Sequence, residues 1–169
     1  MSVRRLLPAD AAQYQAVRLR GLQECPVAFS SSYAEEVDTP LEKIVARLAH
    51  QPDGAIFGYF DGTVLKGVIG VQRESMAKLA HKGFIWGMYV ALDARHMGAG
   101  RALMTHALGY ARDELGVAQV NLGVGTQNAA AIALYQHVGF EVFGTERGYL
   151  QVDGVPHDEH HMVCRLMKG

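Results

Sequence analysis

Apolar and polar positions along the chain change period several times, and each period predicts a different element. Short alternating or continuous apolar runs predict β-strands, whereas apolar positions three and four residues apart predict helices. The predicted strands are Val3–Leu7, Ile56–Phe60, Thr63–Glu74, Gly83–Val90, Val117–Val124, Glu141–Leu150 and His157–Leu166. The predicted helices are residues 10–24, Pro40 to about His50, Gly98–Leu115 and Ala129–Val138.

Capping and turn residues mark several of these boundaries. Asp10 is the predicted N-cap of the first helix, and Thr39 with Glu42 predicts a capping box for the second, with Pro40 as its first residue. Asp61-Gly62 and Asp153-Gly154 predict two-residue hairpin turns. Residues 27–38 predict a loop or a broken helix.

The resulting order, βααβββαβαββ, predicts the fold class. An antiparallel first half is followed by a strand–helix–strand unit, and a crossover helix of this length places the strands before and after it parallel. We therefore expect an α/β (α+β) fold with one mixed sheet and helices on both faces. The length of 169 residues fits a single domain over residues 1–169.

Composition and charge narrow the classes of partner. The chain is 49% apolar and 20% charged with a formal net charge of −1, so we expect no nucleic-acid partner. Residues 115–140 carry no charged side chain, but their amides and glycines argue against a membrane span. Cys25 and Cys164 are too few for a disulfide framework, which favours a cytoplasmic protein.

The most informative segment joins an aromatic-rich strand to a helix that opens with Gly98 and Gly100. A helix N-terminus presents unpaired N–H groups and a partial positive charge, which suits an anion. Glycines let phosphate oxygens approach the backbone, and Arg95, His96 and Arg101 add donors beside it. The alternative is a tight loop with solvated arginines.

Two nucleotide-binding motifs are excluded. The dinucleotide fingerprint needs a third glycine where this chain has Leu103, and a second run beginning at Gly123 also fails at its last position. No Gly-x-x-x-x-Gly-Lys-Ser/Thr loop occurs in the sequence. An oxidoreductase that binds a dinucleotide is therefore disfavoured.

A second constellation follows about thirty residues later. Asn128 precedes an alanine-rich helix, Tyr135 lies on its apolar stripe, and Gly139-Phe140 ends it. Each residue alone fits a cap, a core tyrosine or a helix stop. Together with Arg95-x-x-Gly98-x-Gly100, however, the pattern Asn-x-x-Ala-x-x-Leu-Tyr-x-x-x-Gly-Phe resembles the GNAT superfamily of N-acetyltransferases, and the element order over nearly the whole chain is similar too.

The resemblance implies acetyl-CoA as the cofactor. Its pyrophosphate would be held by backbone N–H groups of residues 97–102, and its pantetheine arm would pair with the strand at residues 88–90. Asn128 would bond that arm and Tyr135 would lie beside the sulfur. The cofactor residues implied are Met88, Tyr89, Val90, Arg95, His96, Met97, Gly98, Ala99, Gly100, Arg101, Ala102, Asn128, Ala131 and Tyr135.

The chemistry expected is transfer of acetyl from acetyl-CoA to a primary amine of a small molecule or a peptide, by direct attack. A thiol has a pKa of about 8.5 and a tyrosine of about 10, so Tyr135 can act as general acid toward the leaving thiolate. The alternative function is a non-catalytic acyl-CoA-binding sensor. The sequence does not identify the amine, and it leaves the oligomeric state open, with a homodimer as one option.

The acceptor side is less well defined by sequence. Candidate general bases are Glu35, Glu36, Glu74, Asp158 and Glu159. Candidate acceptor-pocket residues are Phe29, Ser30, Tyr33, Glu35, Trp86 and Glu159. His157, Glu159 and His161 would share one face of a strand, but neighbours two apart on one strand converge poorly on an ion, so we expect no metal site.

Overall fold

The computed structural model describes residues 1–167, which form one seven-stranded sheet and five α-helices. The strands are β1 (Ser2–Arg5), β2 (Gly54–Asp61), β3 (Val64–Arg73), β4 (Lys82–Val90), β5 (Gln119–Gly125), β6 (Glu141–Val152) and β7 (Val155–Arg165). The helices are α1 (Ala11–Glu24), α2 (Tyr33–Glu36), α3 (Leu41–Leu48), α4 (Ala99–Asp113) and α5 (Ala129–His137). The predicted fold class and element order are confirmed, and the short helix α2 lies in the segment predicted as a loop or broken helix.

The sheet is mixed, with the spatial order β1-β2-β3-β4-β5-β7-β6. Every neighbouring pair is antiparallel except β4 and β5, which are parallel because α4 carries the chain back across the sheet between them. The parallel pair predicted on either side of the crossover helix is thus present.

Helices cover both faces of the sheet. On one face α4 and α5 pack over a cluster that includes Phe57, Ile69 and Leu103. On the other face α1 and α3 pack over a second cluster that includes Tyr14 and Ile44. Below we call these the α4/α5 face and the α1/α3 face.

The parallel strands β4 and β5 separate soon after they begin to pair. Their register runs only from Lys82↔Gln119 to Phe84↔Asn121. Beyond that point β4 remains paired with β3, and β5 remains paired with β7 as far as Gly125. The β5-facing edge of β4 after Phe84 therefore borders a gap in the middle of the sheet.

A β-bulge in β4 lies beside this gap. Val68 pairs with Tyr89 and Gly70 pairs with Trp86, so two residues of β4, Gly87 and Met88, stand opposite a single residue of β3. Gly87 has a φ of +62°, which an L side chain rarely adopts. The bulge places Trp86 and Tyr89 on the α1/α3 face, whereas Met88 packs on the α4/α5 face.

Asp10 is the N-cap of α1, as predicted, but its carboxylate accepts from Leu7 N at 2.8 Å and pairs with Arg4 instead of bonding to the helix. Two other predicted boundaries are wrong by one residue. Pro40, with an extended ψ of 143°, is the N-cap of α3, so the predicted Thr39 cap is wrong. The first hairpin turn is at residues 62–63, since Asp61 pairs with Val64.

In the second hairpin, Asp153 and Gly154 both have positive φ, which fits the predicted two-residue turn. Among residues 1–167 no helix has both the length and the apolarity needed to cross a membrane.

Candidate active site

A cavity of about 440 Å³ lies where the N-terminus of α4, the helix α5 and the edge of β4 meet. Most of the residues predicted to hold the cofactor line it. Those that do are Met88, Tyr89, Val90, Arg95, His96, Gly98, Ala99, Gly100, Arg101, Asn128, Ala131 and Tyr135. The structure thus brings the two sequence motifs to one cavity, which we call the large cavity.

The N-terminus of α4 forms one end of the large cavity. Gly98 is its N-cap with a φ of +81°, and the loop before it contains His96 with a φ of +61°. The N–H groups of Ala99, Gly100 and Arg101 belong to the first turn and have no intrahelical acceptor. They lie on residues that line the cavity, so this end can bind an anion.

Two of the predicted cofactor residues do not fit this picture. The N–H of Ala102 donates to the Gly98 carbonyl at 2.9 Å, because the regular helical bonds begin there. Its side chain packs against the apolar cluster of the α4/α5 face. Met97 is exposed and is not part of the cavity wall. The Ala102 N–H is therefore not free for a pyrophosphate, whereas the role of the Met97 backbone stays a prediction.

Gly100 and Arg95 have contacts within the protein as well as in the cavity wall. A Cβ at Gly100 would come within 3.0 Å of Leu134 Cδ2 on α5, so the glycine lets the two helices approach closely. Arg95 donates from Nε to the Val90 carbonyl at 2.9 Å. This bond ties the loop before α4 to the end of β4.

Tyr135 of α5 lines the large cavity. It is 8% exposed, and its hydroxyl donates to Met88 Sδ at 3.6 Å. Burial raises the pKa of Tyr135 to about 12. The side chain is therefore a protonated phenol at neutral pH, in position to donate a hydrogen bond into the cavity.

Asn128 has the capping role that the sequence suggested and also lines the cavity. Its side-chain oxygen accepts from Ala131 N at 3.2 Å and caps α5. The NH₂ end of the same side chain remains chemically able to donate to a group in the cavity.

A narrow cavity of about 80 Å³ continues from the large one into the gap between β4 and β5. Tyr135, Met88 and Asn128 line both cavities and join them. Trp86 and Gly87 form the β4 side of the narrow cavity, and Gly123 and Gly125 are on its β5 side. Because these walls reach the α1/α3 face, the gap connects the two faces of the sheet.

The residues predicted for the acceptor pocket lie in different places. Phe29 lines the large cavity, and Trp86 lines the narrow one. Ser30 lies at 3.3 Å from the Tyr149 hydroxyl on β6, and Tyr33 packs into the core of the α1/α3 face. Glu159 lies over Gly123 at the narrow cavity.

Glu35 lines none of the three cavities described here, and its place in an acceptor pocket stays a prediction. Its carboxylate accepts from Ser32 N at 2.7 Å and from Ser32 Oγ at 2.8 Å. These bonds form a capping box at α2, and they lower the pKa of Glu35. The Glu35 side chain thus serves as the N3 partner in the capping box that begins α2.

A buried ion pair holds α2 to α1. Arg18 is 7% exposed and donates to both carboxylate oxygens of Glu36, at 2.9 Å and 3.2 Å. Burial favours the neutral carboxyl, but the hydrogen bonds and charge of Arg18 outweigh it, so the pKa of Glu36 is lowered. The Arg18 guanidinium also lies 4.9 Å from the centre of the Phe29 ring. The pair therefore fixes the segment that carries Phe29.

A third cavity of about 310 Å³ shares Trp86 with the narrow one. Arg5, Arg47 and Gln72 contribute polar groups to its wall. It lies at the start of β2, on the side of the sheet where α3 ends. Within residues 1–167, no group of three or more His, Cys, Asp or Glu side chains is arranged to hold a metal ion.

The family model described as the acetyltransferase (GNAT) family matches residues 21–140, which include both motifs and the strands and helices from α2 to α5. The chain belongs to the GNAT acetyltransferase family. The resemblance predicted from the two motifs is thus confirmed.

Two curated proteins resemble part of this GNAT chain. N-alpha-acetyltransferase RimI of Mycobacterium tuberculosis is 36% identical over 104 residues, which are 61% of this chain and 62% of that protein. Mycothiol acetyltransferase of Salinispora tropica is 32% identical over 102 residues, 60% of this chain and 30% of that protein. The chain therefore spans about a third to three-fifths of the curated relatives it matches.

A solved structure supports the fold. The putative acetyltransferase yncA of Salmonella typhimurium, determined with its cofactor acetyl-CoA, has a TM-score of 0.86 and 21% identity, covering 100% of this chain and 95% of that one. At this level of identity the likeness shows that this GNAT chain shares the fold.

Sequence reasoning missed the glycines that open the gap, Gly87, Gly123 and Gly125. A glycine inside a strand pattern indicates a bulge or a close approach, and Gly87 within the aromatic run of β4 carried that signal. The approach of Glu159 to Gly123 had no local signal, because the two residues belong to strands joined only by the sheet register.

Proposed function

We propose that this protein is an N-acetyltransferase that moves acetyl from acetyl-CoA to a primary amine of a small molecule or a peptide. One observation carries the proposal. The free amides at the N-terminus of α4, the open edge of β4 and the Tyr135 hydroxyl all border one connected cavity. Diphosphate, amide arm and thioester are the three parts of the donor that these groups would contact.

The donor site fits acetyl-CoA in chemical terms. The amides of Ala99, Gly100 and Arg101, together with the Arg101 charge, suit a diphosphate. The β4 edge after Phe84 offers backbone groups to an extended amide chain, as an added strand would use them. A backbone N–H of the same edge can polarise the thioester carbonyl.

The reaction conserves atoms and charge without a covalent enzyme intermediate. The amine loses a proton and its nitrogen forms a bond to the acetyl carbon, while the carbon–sulfur bond breaks and its electron pair stays on sulfur. The sulfur then takes up a proton. In this proposal Tyr135 donates its hydroxyl hydrogen to the departing sulfur, which stabilises the thiolate as it forms.

The relatives add support by their names. The two curated relatives are named as acetyltransferases, and the solved yncA structure contains acetyl-CoA. A second candidate function is an acyl-CoA-binding sensor that lacks turnover. The hydroxyl of Tyr135 at the sulfur end of the cavity favours the enzyme, because binding alone does not need a proton donor there.

Thiol release from acetyl-CoA tests the proposal. The amine panel should contain a polyamine, free amino acids and short peptides. Amino acids belong in it because Arg5 and Arg47 line the cavity beyond Trp86 and could hold a carboxylate. We expect saturable thiol release with at least one amine, and an acetylated product by mass spectrometry. Calorimetric binding of acetyl-CoA without turnover on any amine would establish the sensor instead.

A further inference from the structure

Beside the gap, the residues of β5 that face α1 and α3 are glycines and have no side chains. Val120, Leu122 and Val124 are buried among the residues of the α4/α5 face. Side chains alternate along a strand, so Gly123 and Gly125 face the other way. Register pairs them with His161 and Glu159 of β7, whose side chains share that face.

The carboxylate of Glu159 covers part of the surface that Gly123 and Gly125 leave without side chains. A Cβ at Gly123 would collide with Glu159 Oε1 and would lie 2.5 Å from its Cδ. Gly123 also lines the narrow cavity with Tyr135 and Gly87, so the carboxylate covers a residue of that cavity's wall. It approaches from the α1/α3 face, whereas Tyr135 approaches from the α4/α5 face.

The surroundings of Glu159 leave its carboxylate available. Its side chain is 15% exposed, and within residues 1–167 it accepts no hydrogen bond. The nearest basic side chain is His161, whose Nδ1 lies 4.0 Å from Oε1, and the carboxylate that faces it is Glu146 on β6. Burial and the charge of Glu146 raise the pKa of Glu159, while His161 opposes them. A carboxylate with a raised pKa is a better proton acceptor than an ordinary one.

The other candidate bases are engaged or distant. Glu35 caps α2 and Glu36 is bound by Arg18. Asp158 accepts from Gly148 N at 2.8 Å. Glu74 follows β3 next to Lys82, at the start of β4 and before the gap opens.

We propose that Glu159 is the general base that removes the proton from the acceptor ammonium at the gap. This inference rests on the proposed acetyl transfer. An N–H bond of the ammonium breaks and its proton passes to the Glu159 carboxylate. The freed electron pair forms the N–C bond from the α1/α3 face. As the C–S bond breaks, its electron pair leaves on sulfur, which takes the proton of Tyr135. The nitrogen loses its second proton to solvent, and Tyr135 regains a proton from solvent, so the products are the amide and the thiol. Base and acid thus act from opposite faces of the sheet, through the gap between β4 and β5.

The test compares Glu159→Gln with Glu141→Gln, using whichever amine of the panel gives the fastest thiol release. Glu141 begins the neighbouring strand β6, is exposed and pairs with Val163 rather than with Glu159, so it is a control for loss of a strand carboxylate. At pH 7 we expect kcat/KM of Glu159→Gln to fall about 10²–10³-fold, and that of Glu141→Gln to change less than about twofold.

The pH profile separates a base from a packing residue. Without its base, Glu159→Gln can use only amine that arrives deprotonated, so its deficit should shrink up to about tenfold per pH unit until the ammonium pKa is reached. A deficit that is the same at every pH, or no deficit, would overturn the assignment. If no amine supports turnover by the wild type, the proposed function fails instead.

A stability measurement checks the variant independently of any acceptor. Because the folded-state pKa of Glu159 is raised, its ionised form is disfavoured in the fold, so the fold loses stability as pH rises through that pKa. Glu159→Gln should therefore have a thermal midpoint at pH 7 equal to or above that of the wild type, with the gain vanishing at acidic pH. A clearly lower midpoint at pH 7 would mark Glu159 as a structural residue and contradict the proposal.

Discussion

Tyr135 combines two properties that a proton donor in this site needs. Its ring is buried against Phe140, with ring centres 6.0 Å apart, which fixes its orientation. Its hydroxyl lies at the junction of the large and narrow cavities beside Met88. The same burial that orients the ring disfavours the tyrosinate ion. The proton therefore stays on the phenol oxygen until the departing thiolate accepts it.

Replacing Tyr135 by Phe removes only the hydroxyl. We expect turnover to fall about 10²–10⁴-fold while the calorimetric affinity for acetyl-CoA stays nearly unchanged. Tyr110→Phe is the control, because Tyr110 lies on α4 with its ring against Phe57 and outside both cavities. Unchanged turnover of Tyr135→Phe would show that the residue serves packing alone.

The raised pKa of Tyr135 also shapes the alkaline side of the pH profile. The protonated form is the donor, and it persists until pH approaches about 12. We therefore expect no loss of wild-type turnover through this group between pH 8 and pH 10. A fall in that range that disappeared in Tyr135→Phe would contradict the assignment.

Among the elements, β4 does most to shape the site, since its bulge decides which side chains face which cavity. Gly87 makes the bulge possible through its φ of +62°. A Cβ there would also lie 3.2 Å from Arg18 Nη1, a buried atom without a hydrogen-bond partner in the described residues. The conformation of β4 at the gap and the ion pair that fixes α2 are thus in contact.

Gly87→Ala tests the bulge. An L side chain in the left-handed region costs about 1–2 kcal/mol, so the thermal midpoint should fall. We also expect kcat/KM to fall, because any relief of the strain changes the edge of β4. Gly144→Ala is the matched control, since Gly144 is a strand glycine of ordinary φ with open space around it. Equal midpoints and activities for the two variants would show that the bulge tolerates a side chain.

The elements also show how far local sequence carries structural information. The glycine turn before α4 and the Asn128 cap of α5 were predictable, because a capping or turn residue acts within a few positions of itself. The Thr39 cap failed because Pro40 took an extended conformation at the position before the helix. Asp10 is the N-cap of α1 as predicted, but its carboxylate binds Arg4 of β1 rather than the helix amides. Such competition depends on packing that a local pattern does not contain.

For the whole molecule, the gap is the feature that could not be predicted. It follows from where β4 and β5 stop pairing, which is set by α4 on one face and by β7 on the far side of β5. The cofactor motifs border it because they belong to its two walls. Glu159 reaches it only through register with β5, so sequence could name this residue as one candidate base among five but could not place it.

Binding of the donor across these elements should stabilise the whole fold. A ligand that binds only the folded state at about one hundred times its Kd adds about 2.7 kcal/mol of stability. For a chain of this size we expect acetyl-CoA at that excess to raise the thermal midpoint by about 5–10 °C.

Gly100→Glu should abolish the rise. Leu134 and Met88 block the space behind residue 100, so the new carboxylate must enter the cavity that would hold the diphosphate. Gly109→Glu puts the same charge on the same helix, at a glycine with open space around it, and should keep the rise. The midpoints without ligand report any steric cost of the substitutions separately. An equal rise for both variants would mean that the N-terminus of α4 does not bind the donor, and the proposed orientation of acetyl-CoA along β4 would then be wrong.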